Sequence, residues 1–399
     1  MTASSTVLGD RRRVAMQRNA AMKRHPSRRP SAAAPAPRPA AYYLIAIIAA
    51  VLTMLGLVMV LSATSISQFH KGNSPYRIFN RQLIWAGFGL LGLWLAARTP
   101  TRRWRPLVGP AFAVTCLLML LPFVPGVGLQ VNDARSWVAV GSFSFQPSEF
   151  VKLTLLLACA ALLAARRNEL HDLRRTFVPV IGLTGVAAVL CMAQGDLGSA
   201  IVIGMIGMCM VFVAGSPMLP IVATGSLAGL SVVALAMSDS RRAARFSAFL
   251  DVAANKDRFS YQTWQAQIAM VQGGITGSGV GQGQNKLGEF LPLAHSDFVF
   301  AVVAEELGII GIVAVLGGFL ALAYAGMQIA SATPDPFHRL IAGGIVGWLV
   351  GQAFINVGGV TGLLPVTGLT LPFISAGGSS LFVTLVATGL LLNVARNVR

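Results

Sequence analysis

Apolar and polar positions along this chain come in blocks. Ten stretches of about 17–21 or more mostly apolar residues lie near 43–63, 82–98, 107–125, 149–166, 176–193, 197–214, 217–237, 297–327, 339–360 and 377–396. Helices of that length cross a bilayer because they satisfy their own backbone where no water can. The pattern predicts an all-α polytopic membrane protein of about ten transmembrane helices. The eighth stretch exceeds one crossing and is expected to tilt or kink. A large loop, 238–296, separates the seventh helix from the eighth.

Composition agrees. Only 11% of the 399 residues are charged, too few to coat a soluble protein of this size. The net charge of +17 does not mark a nucleic-acid partner. Residues 1–41 hold nine Lys/Arg and one Asp among prolines and alanines. This is the composition of a disordered basic tail that can touch anionic membrane lipid. The folded domain is then 42–399. A cleaved signal peptide is the competing reading, but the first apolar run is too long for one. The four cysteines fall inside expected spans, where small apolar packing suits them better than disulfides. The five histidines show no zinc-ligand spacing.

Charge also sets orientation. With the N-terminus inside, twenty lysines and arginines face the cytoplasm and ten the other side, six of those in loop 238–296. The excess belongs inside, so both termini are expected in the cytoplasm. The polar, motif-like stretches then all lie outside the cell: "VNDARSWVAVGSFSFQPSE", "QGDLGSA", the loop ending at Asp297, and the Gly/Pro-rich run 356–380.

Asp297 stands at the mouth of the eighth stretch, with Glu305 and Glu306 deeper in it. Intramembrane acids are functional candidates because burying one costs roughly 2.5–3.5 kcal/mol. Interhelical hydrogen bonding is the plainer role for the two glutamates. Asp297 is balanced between chemistry and a helix-start acid favoured by the dipole. Glu149 and Lys152 share a helix face at i,i+3; they form either a self-neutralising pair or a cation kept near a cavity for an anionic substrate. Asp196 caps the sixth span or lines a cavity. Arg135, Lys286, Ser375 and Ser379 join them as outer residues able to bind substrate or support a site. The run 272–288, "QGGITGSGVGQGQNKLG", matches no nucleotide-binding loop and is expected to form turns and an adaptable lid. Irregular backbone in 356–380 is tolerated at membrane depth only where it lines a cavity or is buried in protein. It is expected to be a re-entrant wall.

The stretches "LPLAHSDFVFAVVAEELGIIG" and "GLLPVTGLTLPFISAGGSSL" resemble the two most diagnostic signatures of the SEDS family (shape, elongation, division and sporulation). "QPSEFVKL" and "QGDLGSA" fit its remaining pattern in order, over about residues 43–396. "VTGLTLP" and "SAGGSS" are more similar to the division branch, FtsW, than to the elongation branch, RodA. Three positions depart from the pattern: Asp133, Gly195 and Val252. The resemblance implies a ten-span fold and a peptidoglycan glycosyltransferase that polymerises lipid II at the outer face of the bacterial cytoplasmic membrane, at the division septum. By position, Asp297 corresponds to the family's catalytic aspartate, and Glu149 with Lys152 to its buried acid–lysine pair. A class B penicillin-binding transpeptidase (FtsI-like) and other division proteins are the implied partners.

Chemistry outside the cell has no nucleotide pool, so the sugar donor must arrive activated, as a lipid-linked diphosphate. Asp297 is the expected general base toward the acceptor hydroxyl. A divalent cation (Mg or Mn) or basic loop residues would meet the leaving diphosphate, and no nucleotide cofactor is expected. Two other readings compete: a flippase for the same lipid, and a non-catalytic division scaffold. Motifs crowded on one side and the lack of an evident inverted repeat favour the enzyme.

Overall fold

The computed structural model describes residues 39–131, 134–141, 143–237, 240–258, 260–285, 291–292 and 294–398. Residues 1–38 of the expected basic tail, the Asp133 departure and the candidate Lys286 lie outside these residues, and the first helix, from Ala40, begins within the tail's expected last residues.

Helices run in the order α1 (Ala40–His70), α2 (Arg77–Arg98), α3 (Thr101–Trp104), α4 (Val108–Leu118), α5 (Pro147–Ala165), α6 (Phe177–Ala193), α7 (Leu197–Ala214), α8 (Met218–Met237), α9 (Ser240–Leu250), α10 (Tyr261–Gly273), α11 (Val299–Ala332), α12 (Pro336–Thr361) and α13 (Gly378–Asn397). Among the described residues, seven helical stretches are long and apolar enough to cross a membrane: α1, Thr101–Phe123, α5, α7, α11, α12 and α13. α6 and the Met218–Ala234 part of α8 are apolar but shorter, and α2 falls in neither group. The fold is polytopic and helical as expected, while a count of ten spans stays a proposal.

Local chemistry explains the helix starts. Pro147 opens α5, with Glu149 in its first turn, where a missing N–H costs nothing and a negative charge meets the positive helix end. Asp196 caps α7 by accepting from Ser199 N at 2.9 Å. Asp335 caps α12 through Phe337 N at 3.0 Å, and Gly362 closes that helix in the left-handed conformation.

Three of the stretches expected outside carry structure that the sequence pattern did not predict. In the stretch before α5, β1 (Gly128–Val131), β2 (Ala134–Val140) and β3 (Phe143–Phe145) form an antiparallel sheet in that order. Its alternation of apolar and small polar residues, "SWVAV" and "FSF", is a strand pattern too short to stand out beside membrane helices. The segment 238–296 contains two helices, α9 and α10. The irregular run 356–380 shrinks to 362–377, because α12 continues to Thr361.

The expected kink in the eighth span is real, and its form is specific. Gly308 leaves helical geometry at φ 62°, ψ −154°, a region open essentially to glycine alone. Glu305 O and Glu306 O accept instead from Ser278 N at 2.9 Å and Gly279 N at 3.0 Å. Ile309 N and Ile310 N donate to Gly274 O at 3.0 Å and Ile275 O at 3.4 Å. The glycine-rich run after α10 thus pairs the Glu305 and Glu306 carbonyls and the Ile309 and Ile310 N–H groups that the broken ladder of α11 releases. The described part of the run forms the expected turns and is stitched into α11, while residues 286–288 of the expected lid lie outside the described residues.

Candidate active site

Asp297 lies two residues before α11, in the non-helical turn that leads into it. Its carboxylate is half-buried and borders a small recess, open at its mouth, lined also by Asn356, Gly359, Thr367, Gly368 and Leu369. Burial pushes the Asp297 carboxyl up to about 6; a hydrogen bond from the Ser296 side chain opposes the rise and the negative Asp196 adds to it. A carboxylate near 6 is ionised at neutral pH and still basic enough to accept a proton, the combination a general base needs. Beside it, burial and the charges of Arg81 and Lys71 lower His295 to about 4. That imidazole is neutral at physiological pH.

The wall opposite Asp297, residues 362–377, has no regular structure, and neighbouring helices supply its hydrogen bonds. Gln352 Nε2 donates to Thr370 O at 2.8 Å, Asn356 Nδ2 to Leu369 O at 2.7 Å, and Gln82 Nε2 to Ser375 O at 3.2 Å. Ala376 N donates to His295 O at 2.9 Å. Phe373, inside the wall, sits at φ 67°, costly for a bulky residue and tolerated where surroundings over-determine it. The surroundings include α1. A Cβ at Gly56 would come within 2.6 Å of Phe373 O and Ile374 Cα, so only glycine lets α1 approach so closely.

The residues singled out in the sequence divide into groups. Glu149 and Lys152 form a buried ion pair at 2.7 Å. Lys152 Nζ also reaches Gln352 Oε1 at 3.3 Å and lies over the Trp348 ring, 5.9 Å from its centroid. Of the two readings for Asp196, the cap is the one seen, and the residue does not line the recess beside Asp297. It caps α7, and its Oδ2 accepts from Gln146 Nε2 at 2.7 Å, tying α5 to α7 within electrostatic range of Asp297. Ser375 Oγ donates to Ser296 O at 2.6 Å and accepts from Leu371 N at 2.8 Å. Ser379 Oγ accepts from Gln146 N at 3.2 Å. Both serines are buried; Ser375 lies in the wall, and Ser379, in the first turn of α13, ties that helix to the start of α5. Arg135 is exposed on β2, and its backbone N–H donates to Gln194 O at 2.8 Å.

Glu305 and Glu306 do not bond between transmembrane helices alone; they clasp the inserted loop. Glu305 Oε1 accepts from Gln284 N, Asn285 N and Asn285 Nδ2 at 2.7–3.0 Å. Glu306 accepts from Gly281 N at 3.1 Å and from Ser62 on α1 at 2.6 Å.

Sequence reading missed Gln82, Gln352 and Asn356. The signal available was the pair Gln352 and Asn356 in an apolar part of α12, four residues apart and therefore on one face. Asn356 has a further feature. Its Nδ2 donates to Asp297 O at 2.9 Å as well as to Leu369 O, while its Oδ1 is buried with no partner, at a typical cost of about 1–3 kcal/mol.

Comparison with known proteins now decides the family. The model described as "Cell cycle protein" (FtsW/RodA/SpoVE) matches residues 42–399. The chain belongs to this family. A Mycobacterium tuberculosis relative named "Probable peptidoglycan glycosyltransferase FtsW" is 41% identical over 356 residues, covering 89% of this chain and 68% of that protein. Stage V sporulation protein E of Bacillus subtilis is 38% identical over 358 residues, 89% of this chain and 97% of its own length. Among solved structures, a chain from a peptidoglycan synthase complex, described as coordinating polymerization and crosslinking, superposes with a TM-score of 0.72 at 31% identity, covering 89% of this chain and 97% of that one. Family membership and the apolar helices together make this a multi-pass membrane protein.

Proposed function

We infer that this chain is a peptidoglycan glycosyltransferase of the FtsW type, which polymerises lipid II into glycan strands during division. What carries the reading is the position of Asp297: an ionisable carboxylate bordering an open recess, at a non-helical entry to a membrane helix, opposite a wall fixed by three amides. The match to FtsW relatives supports the substrate class.

In the proposed reaction the acceptor sugar hydroxyl enters the recess and Asp297 takes its proton. The freed oxygen attacks the donor anomeric carbon, forming the new glycosidic bond. The bond from that carbon to the lipid diphosphate breaks, and the diphosphate leaves with the electron pair. One base and no second carboxylate placed as nucleophile suit inversion in a single displacement. Glu149, Lys152, Asp196, Ser375 and Ser379 act by holding α5, α7 and the wall around the base. Among the described residues no three His, Cys, Asp or Glu side chains gather into a metal cage. A divalent cation stays a proposal without an assigned ligand set, and no step is routed through one.

The site is proposed to face the outside of the cytoplasmic membrane, with both termini inside, at the septum. A class B penicillin-binding transpeptidase is the proposed partner that cross-links the strands. The test is purified protein with purified lipid II, alone and with that transpeptidase. Strands resolved on gels support the enzyme. Lipid II crossing vesicle membranes without strand formation would favour the flippase, and neither activity would favour the scaffold.

A further inference from the structure

The recess has two sides, the turn at Asp297 and the wall at Leu369, and one side chain spans them. Asn356 Nδ2 donates to Asp297 O at 2.9 Å and to Leu369 O at 2.7 Å. One turn earlier on the same face of α12, Gln352 donates to the next wall carbonyl, Thr370 O, at 2.8 Å. Its Oε1 accepts from Trp348 Nε1 at 2.9 Å and from Lys152 Nζ at 3.3 Å. Two amides one turn apart therefore hold consecutive carbonyls of an irregular segment, and the nearer one also holds the base.

We propose that Asn356 is a positioning residue for Asp297, setting the gap between the carboxylate and the wall, with Gln352 anchoring that wall to the Lys152–Glu149 pair. Three observations support the assignment. The Asn356 donor uses both hydrogens on backbone carbonyls that no neighbouring helix turn satisfies, so a side chain of equal size without them frees both sides of the recess. The residue is 5% exposed, so its rotamer is set by packing. Its Oδ1 has no partner, whereas an amide kept only for stability would have both atoms satisfied. The proposal rests on the reading of Asp297 as the base.

The experiment is lipid II polymerisation by the purified full-length chain carrying Asn356→Leu, with Asp297→Asn alongside. The expected result is an inserted protein whose kcat and kcat/KM fall together by roughly 10–100-fold, as for a reacting group displaced by about an ångström. Its acid limb moves to lower pH than the wild type's, because a loosened carboxylate is better solvated. A loss confined to yield or thermal stability, with wild-type kcat and pH profile, overturns the positioning role. A raised KM at unchanged kcat also overturns it, making Asn356 a substrate contact. If Asn356→Leu does not insert, Asn356→Ala removes both donors without adding a charge beside Asp297 and is judged the same way. An active Asp297→Asn would sink the base reading itself; an inactive Asp297→Asn beside a wild-type-like Asn356→Leu sinks only the positioning role.

Discussion

Two irregular segments penetrate this helical protein, and they solve the same problem differently. Run 274–285 is stitched into the break of α11 by backbone groups, with Ser278 and Gly279 donating to the carbonyls of Glu305 and Glu306. Wall 362–377 hangs on side chains: Gln82, Gln352 and Asn356. Backbone stitching depends on side-chain identity at its glycines, Gly308 at φ 62° and Gly277 at φ 80°, and at the Glu305 and Glu306 carboxylates that clasp the run. A wall held by amides is adjustable, because changing one side chain moves it. Asp297 contacts the adjustable segment, which is where selection on single residues can tune a recess.

That contrast breaks most easily at the wall's anchor. Lys152 is fully buried and paired with Glu149. Lys152→Met leaves an uncompensated buried charge, with an expected loss of about 3–5 kcal/mol, and Glu149→Gln added to it should recover part. The measurement is thermal unfolding of detergent-solubilised protein. Losses that simply add in the double mutant would show that the pair does not interact.

On the stitched side the largest single effect belongs to Gly308. Gly308→Ala forces a side chain into strained backbone, and its Cβ would meet Gly277 N and Ile275 O at 2.5 Å. A cost of at least about 1–3 kcal/mol is expected, read by the same unfolding measurement. An alanine variant as stable as wild type would mean the break is not fixed. Glu305→Gln should be milder, about 1 kcal/mol, because Gln keeps the Oε1 that accepts from Gln284 and Asn285. A loss as large as that of Lys152→Met would instead assign the Glu305 charge a role that its hydrogen bonds do not explain.

These differences also account for what could be read in the sequence. Helices were legible because membrane spans need long apolar blocks, and the caps because Asp196 and Pro147 precede them. Asp297, Glu149 and Lys152 were legible because a charge in an apolar run is conspicuous. The stitch was not, since Ser278 and Gly279 act through backbone atoms that every residue carries. Gln352 and Asn356 were overlooked because an uncharged amide in a membrane helix is quiet until its partner carbonyls, in a distant segment, are known. The sheet of β1 to β3 escaped because its strands are short.

Acidification sharpens the account of Asp297. The carboxyl lies near 6 in the folded protein against an ordinary 3.8. Its folded-state value is raised, so the contribution to stability is present at low pH and lost as pH rises through about 6. Its activity as a base runs the other way, falling as pH drops through the same range. Comparing wild type with Asp297→Asn across pH 5–8 should show wild-type activity declining on acidification with no matching loss of stability at this position. A parallel fall of both would point to acid unfolding.

The most direct measurement is glycan-strand synthesis from lipid II by Asp297→Asn at matched protein levels. Asparagine keeps the shape and hydrogen bonding of the side chain but removes the base, and loss of a general base costs about 10²–10⁴ in rate. The expected result is an inserted protein that binds its transpeptidase and makes no detectable strands. Wild-type strand lengths and rates from Asp297→Asn would contradict the assignment of the base and the reading of the recess built on it.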